Sequence, residues 1–221
     1  MALTVKICGL NSIETLAAAL DAGADWVAFN FFSKSPRYVS LELAKELGRH
    51  VAGRAKIVAL LVEADDRTIL DVISALNPDF LQLHGHETVE RVAFIREKFG
   101  LPVIKAVGIA DAGDVAQARR YETVADWLLL DAKPPKDAPL LGGNGISFDW
   151  NLLAGLDLAK PFMVSGGLNP SNVAAAIAIS KAGGVDVSSG VESAPGVKDS
   201  AKIKAFISNA RAADRLAIEK D

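Results

Sequence analysis

Leu3-Thr4-Val5-Lys6-Ile7-Cys8-Gly9, an apolar run that stops on a thiol and a glycine, leads through an alanine-rich stretch with helical spacing into a second apolar run, Trp26-Val27-Ala28-Phe29-Asn30-Phe31. Strand, helix and strand in that order predict a parallel pair joined by a helical crossover. The unit recurs. Similar runs stand at Lys56 to Val62, Phe80 to Leu83, Val103 to Val107, Trp127 to Leu130, Phe162 to Ser165 and Val185 to Val187, each followed by an alanine- and charge-rich stretch. Their spacing averages roughly 25 residues, which suits a strand, two loops and a helix. Eight such units predict an α/β fold, a single closed (β/α)8 TIM barrel.

The bulk numbers agree. A chain of 221 residues lies in the usual range for one such barrel, and 50% hydrophobic residues supply a large core. Residues 1–210 are expected to form the barrel, with 211–221 as an extension of the final helix or a tail. A net charge of -3 and a pI near 5.7 argue against a general affinity for nucleic acid or an anionic membrane, so an anionic ligand must be captured locally. One cysteine excludes an internal disulfide framework. The opening Met1-Ala2-Leu3-Thr4 enters strand pattern with neither a charged leader nor an apolar signal segment, and a cytoplasmic protein is expected.

Alternation along a barrel strand sorts the polar residues into those facing the interior and those facing the helices, and catalytic groups lie at the strands' C-terminal ends. Cys8 ends strand one and Asp131 follows Leu128-Leu129-Leu130 of strand six, so a thiol and a carboxyl group become candidates for proton transfer. Lys6 shares the inward parity of Cys8. Because closure sets strand eight beside strand one, Lys6 is expected to pair with Asp186 of Val185-Asp186-Val187, as a framework ion pair. Gln82 and His84 share one parity on strand four.

Ser165-Gly166-Gly167-Leu168 follows strand seven and Ser188-Ser189-Gly190 follows strand eight. Loops at those two places form a common phosphate site in barrels, and glycines let backbone N–H groups approach the anion. Arg37, in Ser35-Pro36-Arg37-Tyr38, reads either as a bidentate holder of a substrate carboxylate or as a surface arginine. His84-Gly85-His86 lacks a third ligand at metal spacing, so His84 reads as a pocket hydrogen-bonder and no metal is expected. Trp26, Trp127 and Trp150 read as core or loop anchors. Asn11 with Glu14 resembles a capping box, and Asn169-Pro170 an N-cap with a first-turn proline. The irregular segment from Ala132 to Asp149, with Pro134-Pro135 and Gly142-Gly143-Asn144-Gly145, is a candidate lid.

Taken in order, Lys6-Ile7-Cys8-Gly9, Ser35-Pro36-Arg37-Tyr38, Gln82-Leu83-His84-Gly85, Leu130-Asp131, Gly142-Gly143-Asn144-Gly145, Phe148-Asp149-Trp150, Ser165-Gly166-Gly167-Leu168-Asn169-Pro170 and Asp186-Val187-Ser188-Ser189-Gly190-Val191-Glu192 resemble the phosphoribosylanthranilate isomerases of tryptophan biosynthesis. The resemblance runs from Val5 to about Asp199. It implies an Amadori rearrangement of a phosphorylated small molecule, N-(5-phosphoribosyl)anthranilate, to 1-(2-carboxyphenylamino)-1-deoxyribulose 5-phosphate, without a cofactor. It also implies that Asp131 is the general acid and Cys8 the general base. Arg37 then falls where the family binds the anthranilate carboxylate, and Gly166, Gly167, Ser189 and Gly190 in its phosphate loops, with His84 in the substrate pocket. Monomer and homodimer both stay open. Two alternatives are another sugar-phosphate barrel enzyme, such as an indole-glycerol-phosphate synthase relative or a histidine-pathway isomerase, and a phosphate-ligand binder without turnover. Cys8 together with Asp131 speaks against each.

Overall fold

Eight parallel strands pair in chain order and close on themselves in the computed structural model, which describes residues 2–134, 145 and 147–218. They are β1 (Thr4–Cys8), β2 (Trp26–Asn30), β3 (Lys56–Leu61), β4 (Phe80–Leu83), β5 (Val103–Ile109), β6 (Trp127–Ala132), β7 (Phe162–Val164) and β8 (Gly184–Val187). The predicted (β/α)8 barrel is the observed one. Its seam joins β1 to β8 with Lys6 opposite Asp186. Around it, among the described residues, run α1 (Ile13–Asp21), α2 (Leu41–Val51), α3 (Asp66–Leu76), α4 (Val89–Phe99), α5 (Ala112–Ala118), α6 (Val173–Ser180) and α7 (Ser200–Ile218). The described part of the β6 to β7 connection holds a 3₁₀ turn, Trp150–Leu153, where the repeat predicts an α-helix. Gly142-Gly143-Asn144 and most of the expected lid lie outside the described residues.

Strand alternation divides the core in two. Val5, Ile7, Val27, Phe29, Leu81, Leu83, Leu128 and Leu130 face outward and pack under the helices, while Ala28, Val58, Leu60, Ile104, Ala106, Leu129 and Met163 fill the interior. Each fully buried aliphatic side chain of this kind contributes on the order of 1.5–3 kcal/mol. Trp26 closes the interior at the strands' starting ends, stacked on Phe80 with ring centroids 4.4 Å apart and edge-on to Trp127 at 5.1 Å. The interior is therefore a packed plug with a polar layer above it.

Two expected caps move. The hydroxyl of Ser12, not the Asn11 side chain, accepts from Thr15 N to start α1, because Asn11 Nδ2 donates instead to the Gly196 carbonyl at 3.1 Å. Asn169 does not start α6 either: the helix begins at Val173, and the Asn172 side chain is spent on Asn169 N and on the Gly167 carbonyl, at 2.8 and 2.9 Å. Strand β6 also outruns its apolar stretch. Gly108 pairs with Asp131 and Ile109 with Ala132, so Asp131 stands within the strand rather than after it.

Beyond β8 a short antiparallel hairpin, β9 (Glu192–Ala194) and β10 (Val197–Lys198), turns on Pro195-Gly196, with Gly196 at φ +81°. Helix α7 then runs unbroken across the boundary expected at 210/211, and Arg211 bonds the carbonyls of Leu3 and Gly23 and the carboxylate of Asp25.

Candidate active site

The strands' C-terminal ends surround a cleft lined by Cys8, Arg37, His84, Asp131, Gly166, Gly167 and Ser189. Gly190 lies just past it, with its Cα against Leu168 and Asn169, so the expected site residues converge on one mouth. They come from six separate strands or their loops. Only barrel closure brings the two ends of the chain together.

Cys8 is buried, 5% exposed. Burial pushes its thiol above the ordinary cysteine value, and the cations of Lys6, Lys198 and Arg37 pull against that while Asp186 adds to it. One layer below, Lys6 Nζ donates to Asp186 Oδ1 at 2.8 Å, and Ser165 Oγ donates to Asp186 Oδ2 at 3.2 Å. Burial works against the Lys6 ammonium, yet Asp186 carries its pKa above the ordinary lysine value. The expected pair is present.

Across the mouth, Asp131 accepts Ala132 N–H on Oδ1 at 2.8 Å, and its Oδ2 lies 3.3 Å from His84 Nε2. His84 Nδ1 lies 2.9 Å from Gln82 Nε2. Both ring nitrogens of His84 are therefore engaged, one of them by Asp131, whereas His86 is exposed and lines the adjoining cavity rather than this cleft. Among the described residues no three His, Cys, Asp or Glu side chains gather as a metal site.

Arg37 is no free surface arginine. Its Nε and Nη2 donate to the two carboxylate oxygens of Glu192 at 2.7 and 2.9 Å, and Ser35 Oγ accepts its backbone N–H. Glu192 Oε1 also accepts from Lys198 Nζ at 2.8 Å, and Lys198 donates on to the Ser188 carbonyl. Burial pushes the Glu192 carboxyl up, but Arg37 and Lys198 hold it below the usual range. Burial holds the Lys198 ammonium below its usual value. Two buried cations, Arg37 and Lys198, thus meet on Glu192 close to Cys8 and the loop after β8. Glu192 stands in the sequence motif without an assigned role. Lys198 carries no sequence signal, since a two-residue strand after a turn places it.

The loop after β7 is held by side chains. Asn172 Nδ2 and Asn169 Nδ2 both donate to the Gly167 carbonyl, at 2.9 and 3.4 Å. Gly166 takes φ +81°, and a Cβ there would stand 2.5 Å from Ala132 N, so the loop after β7 lies directly on the end of β6. The glycine loop after β7 and the Asp131 strand are in contact.

A closed (β/α)8 barrel that gathers a thiol, a carboxyl group and two glycine loops at the C-terminal ends of its strands is laid out as a barrel enzyme, with its active site at that mouth. Residues 5–209 match the family model described as N-(5'phosphoribosyl)anthranilate (PRA) isomerase. The chain belongs to that family. It is 59% identical over 212 residues to the N-(5'-phosphoribosyl)anthranilate isomerase of Bradyrhizobium diazoefficiens, covering 96% of this chain and 95% of that one. Against the enzyme of Rhodopseudomonas palustris it is 56% identical, covering 98% and 99%. The crystal structure of the Thermotoga maritima phosphoribosyl anthranilate isomerase superposes with a TM-score of 0.86 at 40% identity, covering 95% of this chain and 99% of that one. A phosphoribosyl anthranilate isomerase crystallised with reduced 1-(o-carboxyphenylamino)-1-deoxyribulose 5-phosphate gives 0.83 at 37% identity, with the same coverage.

Proposed function

We propose that this chain performs its family's reaction, converting N-(5-phosphoribosyl)anthranilate to 1-(2-carboxyphenylamino)-1-deoxyribulose 5-phosphate by acid–base catalysis between Asp131 and Cys8. Asp131 gives a proton to the ribose ring oxygen as the C1–O bond breaks, and the nitrogen lone pair forms the Schiff base. Cys8, as thiolate, takes the proton from C2, and the electron pair moves to give the enolamine. Proton return to C1 and loss of the hydroxyl proton then yield the ketone, so atoms and electrons balance without an outside oxidant. The observation that carries this reading is the placement of Cys8 and Asp131 on inward-facing strand ends lining one cleft.

Gly166, Gly167, Ser189 and Gly190 hold the phosphate through the backbone of the loops after β7 and β8. Arg37 meets the anthranilate carboxylate, and its bidentate grip on Glu192 fixes the guanidinium plane for that contact. His84 belongs to the same pocket. No helix of the described residues is long and apolar enough to cross a membrane. The biosynthetic role of the family supports the cytoplasm as the compartment.

Loss of anthranilate-type fluorescence on mixing with freshly made substrate tests the reading. Cys8→Ala and Asp131→Asn should each lower kcat at least ~100-fold, the usual scale for a positioned acid or base. Near-native kcat in either variant removes that residue from its role, and no turnover by the native chain removes the reaction.

A further inference from the structure

Strand β4 and the residue just past its end carry two polar side chains, Gln82 and His84, and only His84 opens on the cleft. Gln82 is fully buried, and its Oε1 is one of the two buried side-chain polar atoms without a hydrogen-bond partner among the described residues. An orphaned buried acceptor costs on the order of 1–3 kcal/mol, so a use for it is expected. Its amide nitrogen, which can only donate, lies 2.9 Å from His84 Nδ1. The imidazole then accepts on Nδ1, and when neutral carries its proton on Nε2, aimed at Asp131 Oδ2 3.3 Å away. That arrangement suits an Asp131 that has already given its proton up.

Turning the Gln82 amide over places the orphaned Oε1 on the same nitrogen. Nδ1 must then carry a proton, and a second proton sits between Nε2 and Asp131 Oδ2. We propose that His84 and Asp131 hold one extra proton in common as the reservoir for ring opening, and that Gln82, by turning its amide, favours the loaded or the spent state. In this step Gln82 and His84 act through Asp131, whose proton is the one that moves, and are therefore positioning residues for it. This inference rests on the reading of Asp131 as the acid. The geometry favours the pairing because Nε2 and Oδ2, 3.3 Å apart, can share one proton between them.

Other titratable groups lie around this pair. Cys8, Lys6 and Asp186 lie toward β1 and β8, Arg37 lies beyond β2, and His86 follows on the β4 loop. Lys105, Tyr121 and the Lys133–Asp114 pair, 2.6 Å apart, line the cavity on the other side of His84 and Asp131. All remain in place in the variants below.

The test is the pH profile of kcat for the native enzyme, Gln82→Glu, Gln82→Met and His84→Ala. A carboxylate at position 82 favours the loaded state and an apolar isostere removes its acceptor. One and the same limb should therefore move up by about half a unit or more in Gln82→Glu and down in Gln82→Met, while the other limb stays. His84→Ala should move that limb down by at least about one unit and cut kcat at least ~10-fold, with KM within ~3-fold. Opposite displacements from two substitutions of similar size cannot come from a loosened fold. Limbs unmoved in the Gln82 variants, or moved in one direction by both, overturn the inference. If Asp131→Asn meanwhile abolishes turnover, the acid assignment stands and only the reservoir falls; if Asp131→Asn turns over normally, the acid assignment itself has failed.

Discussion

Cys8 is placed in conflict with the base role proposed for it. A general base must lose its proton, yet burial pushes this thiol above the ordinary value of 9.0, with Lys6, Lys198 and Arg37 pulling only partly against that. Alkylation of the free enzyme by iodoacetamide should therefore be slow near neutrality and should rise with an inflection above 9.0, whereas an inflection at or below it would contradict this environment. Cys8 and Asp131 were legible as candidates because an apolar strand ending in a reactive side chain is a local pattern. Arg37 was legible only as a choice between a carboxylate holder and a surface residue. Its burial against Glu192 and Lys198 is a contact across 155 positions of chain, for which no local pattern exists.

Among the elements, the loops after β7 and β8 behave as one piece. A Cβ on Gly190 would overlap the Leu168 carbonyl and stand 3.0 Å from Asn169 Cα, so any side chain there must part the two loops. Gly190→Ala should raise KM for the phosphorylated substrate at least ~10-fold and weaken inhibition by inorganic phosphate, with a smaller change in kcat; an unchanged KM would separate Gly190 from phosphate binding. The β4 loop shows a different device. Lys105, on the helix-facing side of β5, donates to Glu87 at 2.7 Å and to the Gly85 carbonyl at 2.7 Å, while Glu87 also accepts Glu63 N–H at 2.9 Å. Burial pushes the Glu87 carboxyl up, but Lys105 and the backbone donors hold it below its ordinary 4.5. A depressed carboxyl stabilises the fold above its unfolded value and loses that contribution as pH falls through the folded one. Native stability in urea should thus fall between pH 5 and pH 3 more steeply than that of Glu87→Gln, which should already be weakened at pH 7 by about 3–5 kcal/mol because Lys105 is left buried and unpaired. Parallel pH curves for the two proteins would rule the pairing out as a source of acid sensitivity.

For the molecule as a whole, the seam between β1 and β8 is where closure is decided. Lys6 and Asp186 meet there at 2.8 Å with Lys6 fully buried, 180 positions apart in the chain. Lys6→Met should cost about 3–5 kcal/mol in urea unfolding by stranding Asp186, and Lys6→Met with Asp186→Leu should recover most of it. A single variant as stable as the native chain would mean that the pair carries no net role in closure. This is also the contact on which strand parity served well: inward alternation on two strands plus eight-fold closure predicts the pair, and the register supplies it.

Fold class, strand order and the two proton-transfer candidates follow from periodicity, glycine placement and strand-end chemistry, because those are properties of short stretches. The chain's motifs in order carry its family for the same reason. Tertiary structure alone decided the rest. Closure sets Asp131 within its strand by pairing it with Gly108, aims His84 at Asp131 over a buried Gln82, and through a two-residue hairpin turn brings Lys198 to Glu192 and Arg37. Each depends on which side chain lies opposite which once the ends of the chain meet. A buried charge or polar group in that interior must find its partner across the barrel, wherever in the sequence that partner stands.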